Sequence, residues 1–383
     1  MNVLIAHYLD GALSGAEFAI ADMVGQRDPR FEYQMLIPGE GRLAGYYRRQ
    51  GFSVWIKRVE TPRRLYPGLH ALQSVAFSRE LRSRMVEAVV CNTFPAASRV
   101  GTACRIAGIP YAIYVREYIS DRPHHRSMLR QATRIFAVSE DVRSYLSHLI
   151  APERIVVVYD HLDMQPLKKR VEAHTASGIR LLPFPEDNPV VGIVGRITAY
   201  KQPDVFIRAS ALILAQIPEA RFVVVGSASG RDDAYAREVQ SLSRQLGLSD
   251  KLAFLGLRSD AIEILSELAV CCIPSRREPF PRTLLEAQAV GCPVVAANQG
   301  GCPEMVQDER NGLLFNAIGP DAPEALAAQI VRLLKDRSLR MRLAQQARLS
   351  LESTYGGVKP VRELEKQIQT LILERQPNAR SIA

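Results

Sequence analysis

The sequence predicts an α/β protein of two Rossmann-like, doubly wound parallel-sheet domains, and three observations carry that expectation. Short apolar runs alternate with longer amphipathic stretches along most of the chain, the order that yields strands joined by crossover helices. A length of 383 residues exceeds what one ordinary core organises. A polar stretch over 162–189, broken by Pro166, Pro183, Pro185 and Pro189, separates two such series.

Taken in order, the first series places strands near 2–7, 33–37, 53–56, 87–91, 111–115, 134–138 and 155–158, with helices between them. The opening run Met-Asn-Val-Leu-Ile-Ala-His lacks the basic flank and small-residue cleavage site of a signal peptide and reads as a first strand. The second series begins at 190–195 and continues near 220–225, 252–254, 269–273, 293–297 and 313–315. Near the end, Val361, Leu364, Ile368, Leu371 and Ile372 share one helical face. The expected organisation is a first domain over 1–165, a linker over 166–188, a second domain over 189–355 and a C-terminal helix over 356–383.

Apolar residues make up 47% and charged residues 23%, the composition of a globular protein. No apolar run approaches the roughly 18–20 residues that cross a bilayer. The expected location is the cytoplasm, with peripheral contact at the inner membrane face as a further possibility. Six cysteines form no Cys-x2-Cys pair and several fall in apolar strands, so buried free thiols are expected rather than zinc or disulfides. Of the net charge of +9, residues 1–160 hold a large share, with 21 Lys and Arg against 15 Asp and Glu. In that half, Arg42, Arg48, Arg49, Lys57, Arg58, Arg63 and Arg64 are interleaved with Leu43, Tyr46, Tyr47, Phe52, Trp55 and Leu65. Such a mixture suits either an anionic membrane surface or Arg stems covering a core edge. No nucleic-acid recognition motif accompanies it.

The most informative stretch is Glu278-Pro279-Phe280-Pro281-Arg282-Thr283-Leu284-Leu285-Glu286. Pro281 suits a first helical position, so the N–H groups of Arg282, Thr283 and Leu284 would face outward at a positive helix end, the physical basis of a phosphate cradle. Glu278 precedes the cradle and Glu286 lies a turn inside it. A ligand negative in the middle and rich in hydroxyls at both ends, such as a sugar nucleotide, would match. The plainer alternative pairs Glu286 with Arg282 at i, i+4 and leaves Glu278 solvated.

After this stretch come a helix closed by Gly291, a buried strand over 293–297, and Gly300-Gly301-Cys302-Pro303-Glu304. The whole run resembles the retaining glycosyltransferases of the GT-B fold, particularly family 4, whose donor domain carries E-x-F-G-x4-E followed by a Gly-Gly-x-Pro-Glu turn. The resemblance is strongest over 190–320 and looser over 1–160. It implies two Rossmann-like domains facing an interdomain cleft, a nucleotide-diphosphate sugar as donor, and a glycan, lipid-linked or small-molecule acceptor. Cell-surface polysaccharide or glycoconjugate synthesis is the implied setting. It also implies transfer with retention, and a terminal helix that returns to the first domain.

The same resemblance assigns site residues. Gly195-Arg196-Ile197-Thr198-Ala199-Tyr200-Lys201 matches the element whose Arg and Lys grip the donor diphosphate, and fixed cations there stabilise charge as it develops on the leaving group. Glu278 would hold sugar hydroxyls and Glu286 the ribose. Gly226 closes the nucleotide floor, and Arg258 belongs to the segment edging the base. Phe280, Arg282, Thr283 and Leu284 complete the donor side. In the first domain, Asp10-Gly11-Ala12-Leu13-Ser14-Gly15-Ala16-Glu17 resembles the family's small-residue loop, with Gly15 set against phosphate. Many relatives carry a His after the fifth strand where this chain has Arg116 and Glu117; these and His124 are the acceptor-side candidates, with His125 beside them. Pro281 replaces the usual Gly, which leaves the sugar open. No Asp-x-Asp element ends a strand, so neither metal nor cofactor is expected, the cation pair neutralising the diphosphate. A same-fold nucleotide-sugar epimerase and a non-catalytic sugar-nucleotide-binding partner are the alternatives.

Overall fold

A computed structural model describes residues 1–8, 15–59 and 67–374. The chain divides into two compact units, one comprising Met1–His161 and the chain from Gly357 onward, the other Leu162–Gly356.

The first unit is a seven-stranded parallel sheet: β1 (Asn2–Ala6), β2 (Glu32–Ile37), β3 (Ser53–Ile56), β4 (Ala88–Cys91), β5 (Tyr111–Val115), β6 (Arg134–Ala137) and β7 (Ile155–Val157), in the order β3-β2-β1-β4-β5-β6-β7. Its crossovers are α1 (Gly15–Gly25), α2 (Arg42–Arg49), α3 (Pro67–Ser83), α4 (Phe94–Ala107), α5 (Pro123–Gln131) and α6 (Glu140–Leu146). The central strands β4 and β5 are buried along their whole length, as a sheet covered on both faces requires, which is why they read as continuous apolar runs.

In the second unit the chain runs through α7 (Met164–Ser177), β8 (Val190–Val194), α8 (Pro203–Leu214), β9 (Arg221–Val225), α9 (Asp233–Gln245), β10 (Leu252–Gly256), α10 (Ala261–Glu267) and β11 (Val270–Ile273). It continues with α11 (Arg282–Ala289), β12 (Val294–Ala297), α12 (Cys302–Met305), β13 (Leu313–Phe315), α13 (Ala322–Lys335) and α14 (Arg337–Thr354). The sheet order is β10-β9-β8-β11-β12-β13, all parallel. Its core packs Phe206 and Ile213 of α8 with Phe222 of β9 and Ile330 of α13.

Helix α15 (Lys359–Leu373) belongs to the first unit and buries Val361, Leu364, Ile368 and Leu371. Polar ties fix its register: Glu365 accepts the backbone N–H of Asp28 at 2.6 Å, and Arg362 pairs with Asp28 at 2.9 Å.

One sequence expectation changes here. The stretch taken as a linker contains a full helix, α7. Asp163 caps its start by accepting from the N–H of Gln165, and Gly178 ends it in the left-handed conformation at φ 63°. Pro166 fits because the first turn of a helix leaves its N–H groups unbonded. Only Met164 and Leu167 of α7 are buried, so the hydrophobic stripe is too short to show as periodicity. Ion pairs hold it instead, Arg170 to Glu263 and Lys168 to Glu352, with His174 in hydrogen-bonding contact with Glu267.

For the basic and aromatic residues of the first unit, the described residues contain the second of the two readings, cations at the edge of a buried core. Leu43, Tyr47, Phe52 and Trp55 are buried, while Arg48 pairs with Glu40 and Lys57 with Glu80. Alternation sends the rings inward and the cations outward. Arg63, Arg64 and Leu65 lie outside the described residues. Among those described, no helix is long and apolar enough to cross a membrane, and all six cysteines are buried and free.

Candidate active site

Ligands of open parallel sheets bind beyond the carboxyl ends of the strands where the strand order reverses. In the second unit that switch lies between β8 and β11, whose register pairs Val191 with Val270 and Gly192 with Cys271. The chain leaves β8 into Gly195 and Arg196, and leaves β11 into Pro274 and Ser275. Both exits line one cavity, together with Ile197, Lys201, Pro281 and Thr283. It holds about 390 Å³ of empty space, part of it open solvent. The structure therefore brings together the cation pair and the tip of α11, as the motifs suggest.

Glycines allow the strand ends to close up. Gly195 donates to the carbonyl of Val225 at 2.9 Å, and Gly226 to that of Gly256 at 2.7 Å. Gly226 has φ +130°, and a Cβ there would lie 1.9 Å from the carbonyl oxygen of Gly195. Only glycine fits. Gly301 is constrained in the same way: its N–H donates to the carbonyl of Glu278 at 2.7 Å, and a Cβ would lie 2.1 Å from the carbonyl oxygen of Pro279. The Gly-Gly turn is thus the floor on which the 278–281 loop rests.

Glu278 is buried at 4% exposure, so the solvated alternative fails for it. Its Oε1 meets the Lys201 ammonium and accepts from Ser275 Oγ at 2.8 Å; its Oε2 accepts from the Tyr200 hydroxyl at 3.0 Å. Desolvation works against the charge on Lys201, yet the Glu278 carboxylate outweighs it and raises the lysine above its ordinary value. Burial and the neighbouring carboxylate push the Tyr200 phenol up to about 12, which keeps it a donor at neutral pH. Arg196 stands exposed at the rim.

Other candidates sit differently. Arg282 pairs with Glu286 at 2.9 Å, so for Glu286 the i, i+4 alternative is what the structure contains. The N–H of Leu284 is taken by the carbonyl of Pro281 at 3.0 Å, because the helix begins at Arg282 and its first turn closes on Pro281. That removes Leu284 from the cradle and leaves its tip at Thr283, whose hydroxyl contacts the carbonyl of Val194 at 3.4 Å. Phe280 is buried against Tyr355, ring centroids 5.3 Å apart, which makes it a packing residue. Arg258 is held by Asp260 at 2.5 Å.

In the first unit the order reverses between β1 and β4. Arg116, the residue after β5, is locked: it pairs with Asp160 at 2.9 Å and donates to the carbonyl and side-chain oxygens of Asn92, just past β4, each at 2.8 Å. Its guanidinium lies 3.5 Å from the Tyr114 ring centroid. Buried His7 is nearby, and desolvation plus the Arg116 charge lower its pKa to about 3. Glu117 and His124 are exposed, the latter in the first turn of α5 with its ring against His125. Gly15 is the exposed first residue of α1, and 10–14 before it lie outside the described residues. Sequence reasoning missed Tyr200, Ser275, Asn92 and Asp160. Their common signal is a polar residue just past a buried strand or beside a motif cation.

Residues 179–350 match the family model for glycosyl transferases group 1. That segment holds both the cation pair and the Glu278 loop. Curated relatives include the D-inositol 3-phosphate glycosyltransferases of Corynebacterium urealyticum, 32% identical over 61% of this chain and 55% of the relative, and of Stackebrandtia nassauensis, 39% identical over 44% and 39%. The chain thus spans about half, or less, of the length of such relatives. Among solved structures, Anabaena HepE in complex with UDP superposes with a TM-score of 0.80 at 21% identity, covering 97% of this chain and all of that one. The lipopolysaccharide outer core galactosyltransferase WaaB gives 0.70 at 18%, covering 97% and 99%. These likenesses show the fold, GT-B with its two Rossmann-like parallel-sheet domains.

Proposed function

We propose that the protein is a metal-independent, retaining glycosyltransferase of family 4 that binds a nucleotide-diphosphate sugar in its second unit. The observation carrying this reading is a cavity at the β8/β11 switch, lined by Arg196, Lys201 and Thr283 within the group 1 segment. Two cations and a helix tip suit the dianionic nucleoside diphosphate that departs when the sugar–phosphate bond breaks. Arg196 and Lys201 hold that diphosphate, and Glu278, next to Lys201, takes sugar hydroxyls. Leaving-group phosphate assists deprotonation of the acceptor hydroxyl on the same face, so no carboxylate needs to serve as nucleophile. The acceptor is a glycan, a lipid-linked saccharide or a phosphorylated polyol, and the first unit receives it.

HepE has been seen with UDP and UDP-glucose, which makes UDP-sugars the first donors to try, followed by GDP- and ADP-sugars. A ligand confined to the folded state raises its apparent stability. The test is a thermal-shift screen, then turnover with acceptors and NMR of the product anomer. Retention of configuration, unaffected by chelator, supports the reading. Conversion of donor without acceptor points to an epimerase, and loss of activity in chelator restored by magnesium or manganese refutes metal independence.

A further inference from the structure

We infer that Tyr200 is a positioning residue for the donor sugar: its phenol orients the Glu278 carboxylate so that Oε2 meets a sugar hydroxyl. The inference rests on the donor reading above and names a residue that reading does not use.

The two oxygens of Glu278 are unequally served. Oε1 has both the Lys201 ammonium and the Ser275 hydroxyl, whereas Oε2 has the Tyr200 hydroxyl at 3.0 Å. A carboxylate offers about four lone-pair sites across its two oxygens, so Oε2 keeps room for another donor, and a hydroxyl is a donor of the right kind. The carboxylate must be oriented before a ligand arrives, because a group that swings must be ordered at the moment of binding. Tyr200 itself is fixed at both ends. Its carbonyl accepts the N–H of Arg276 at 2.9 Å, tying the turn before Lys201 to the loop that carries Ser275 and Glu278. The phenol then closes the same link through side chains. Lys201 cannot do this alone, since an ammonium on a flexible stem follows charge without fixing the carboxylate plane.

Tyr200 is 38% exposed, so Tyr200→Phe removes one oxygen from a rim position and the chain folds. The experiment measures Kd for UDP and for UDP-glucose in the full-length wild type and in Y200F. The diphosphate contacts come from Arg196 and Lys201, which the substitution leaves alone. UDP-glucose binding is expected to weaken about five- to tenfold, the cost of ordering a carboxylate that is no longer held before the ligand arrives, while UDP changes less than about twofold. A merely structural role for Tyr200 would disturb Lys201 in the same turn and weaken both ligands together. Parallel weakening, or no change in either, overturns the inference. A wild-type chain indifferent to both ligands removes the donor reading beneath it, a failure visible before any variant is made.

Discussion

Replacing Lys201 with methionine keeps the stem and removes the cation facing Glu278. The carboxylate side chain is 5% exposed and the lysine 23%, so the cost falls on an acid that cannot turn to water. Breaking a buried pair by removing one partner costs about 3–5 kcal/mol. The Tyr200 and Ser275 hydroxyls remain on Glu278 and each offsets about 1 kcal/mol, which leaves a loss of about 2 kcal/mol. For a unit of this size that lowers the melting temperature by about 4–8 °C. Glu278→Gln strands the lysine instead, but Lys201 reaches solvent more readily, and about 1 kcal/mol is expected. The double variant removes both charges and should recover about 1–2 kcal/mol relative to the sum of the singles. Thermal melts of the four proteins without nucleotide close the cycle. If K201M matches the wild type within about 0.5 kcal/mol, or if the two losses simply add, Glu278 does not depend on Lys201 and the site is wrongly described.

Other expectations follow from the same geometry. Gly226→Ala drives a methyl into the Gly195 carbonyl and should cost about 3 kcal/mol or more, seen as a melting-temperature drop together with lost nucleotide binding. Arg116→Met strands buried Asp160 and should destabilise the first unit by about 3 kcal/mol, while the Kd of the second unit for UDP stays unchanged. Between pH 6.5 and about 3 the unfolded chain binds a proton at His7 that the folded chain refuses, so stability is full above 6.5 and falls as pH drops. At pH 5 the loss from this residue is about 2 kcal/mol, and His7→Leu should flatten that limb of a denaturation-versus-pH curve.

Both sheets were legible because buried parallel strands carry unbroken apolar runs, and the thirteen strands among the described residues lie where those runs predict. Helix α7 was not, because salt bridges rather than a hydrophobic face hold it. At the site, the proximity of Arg196, Lys201 and Thr283 followed from strand ends and helix starts, which the order of elements reveals. Side-chain pairing did not. Whether Glu286 turns to Arg282, whether Phe280 turns to Tyr355, and which way Arg116 faces depend on neighbours far away in sequence, such as Asp160, 44 positions from Arg116. The burial of Glu278 belongs to the same class, since the backbone of its loop packs on the Gly300–Gly301 turn, which lies well beyond it in sequence.

In the proposed function, one cavity of the second unit receives a diphosphate between Arg196, Lys201 and the Thr283 end of α11. A crystal of the full chain grown with UDP tests it most directly. Phosphate density is expected within hydrogen-bonding distance of the Arg196 and Lys201 side chains and the backbone N–H of Thr283. Diphosphate bound elsewhere, with the Lys201–Glu278 pair intact and this cavity empty, would contradict it.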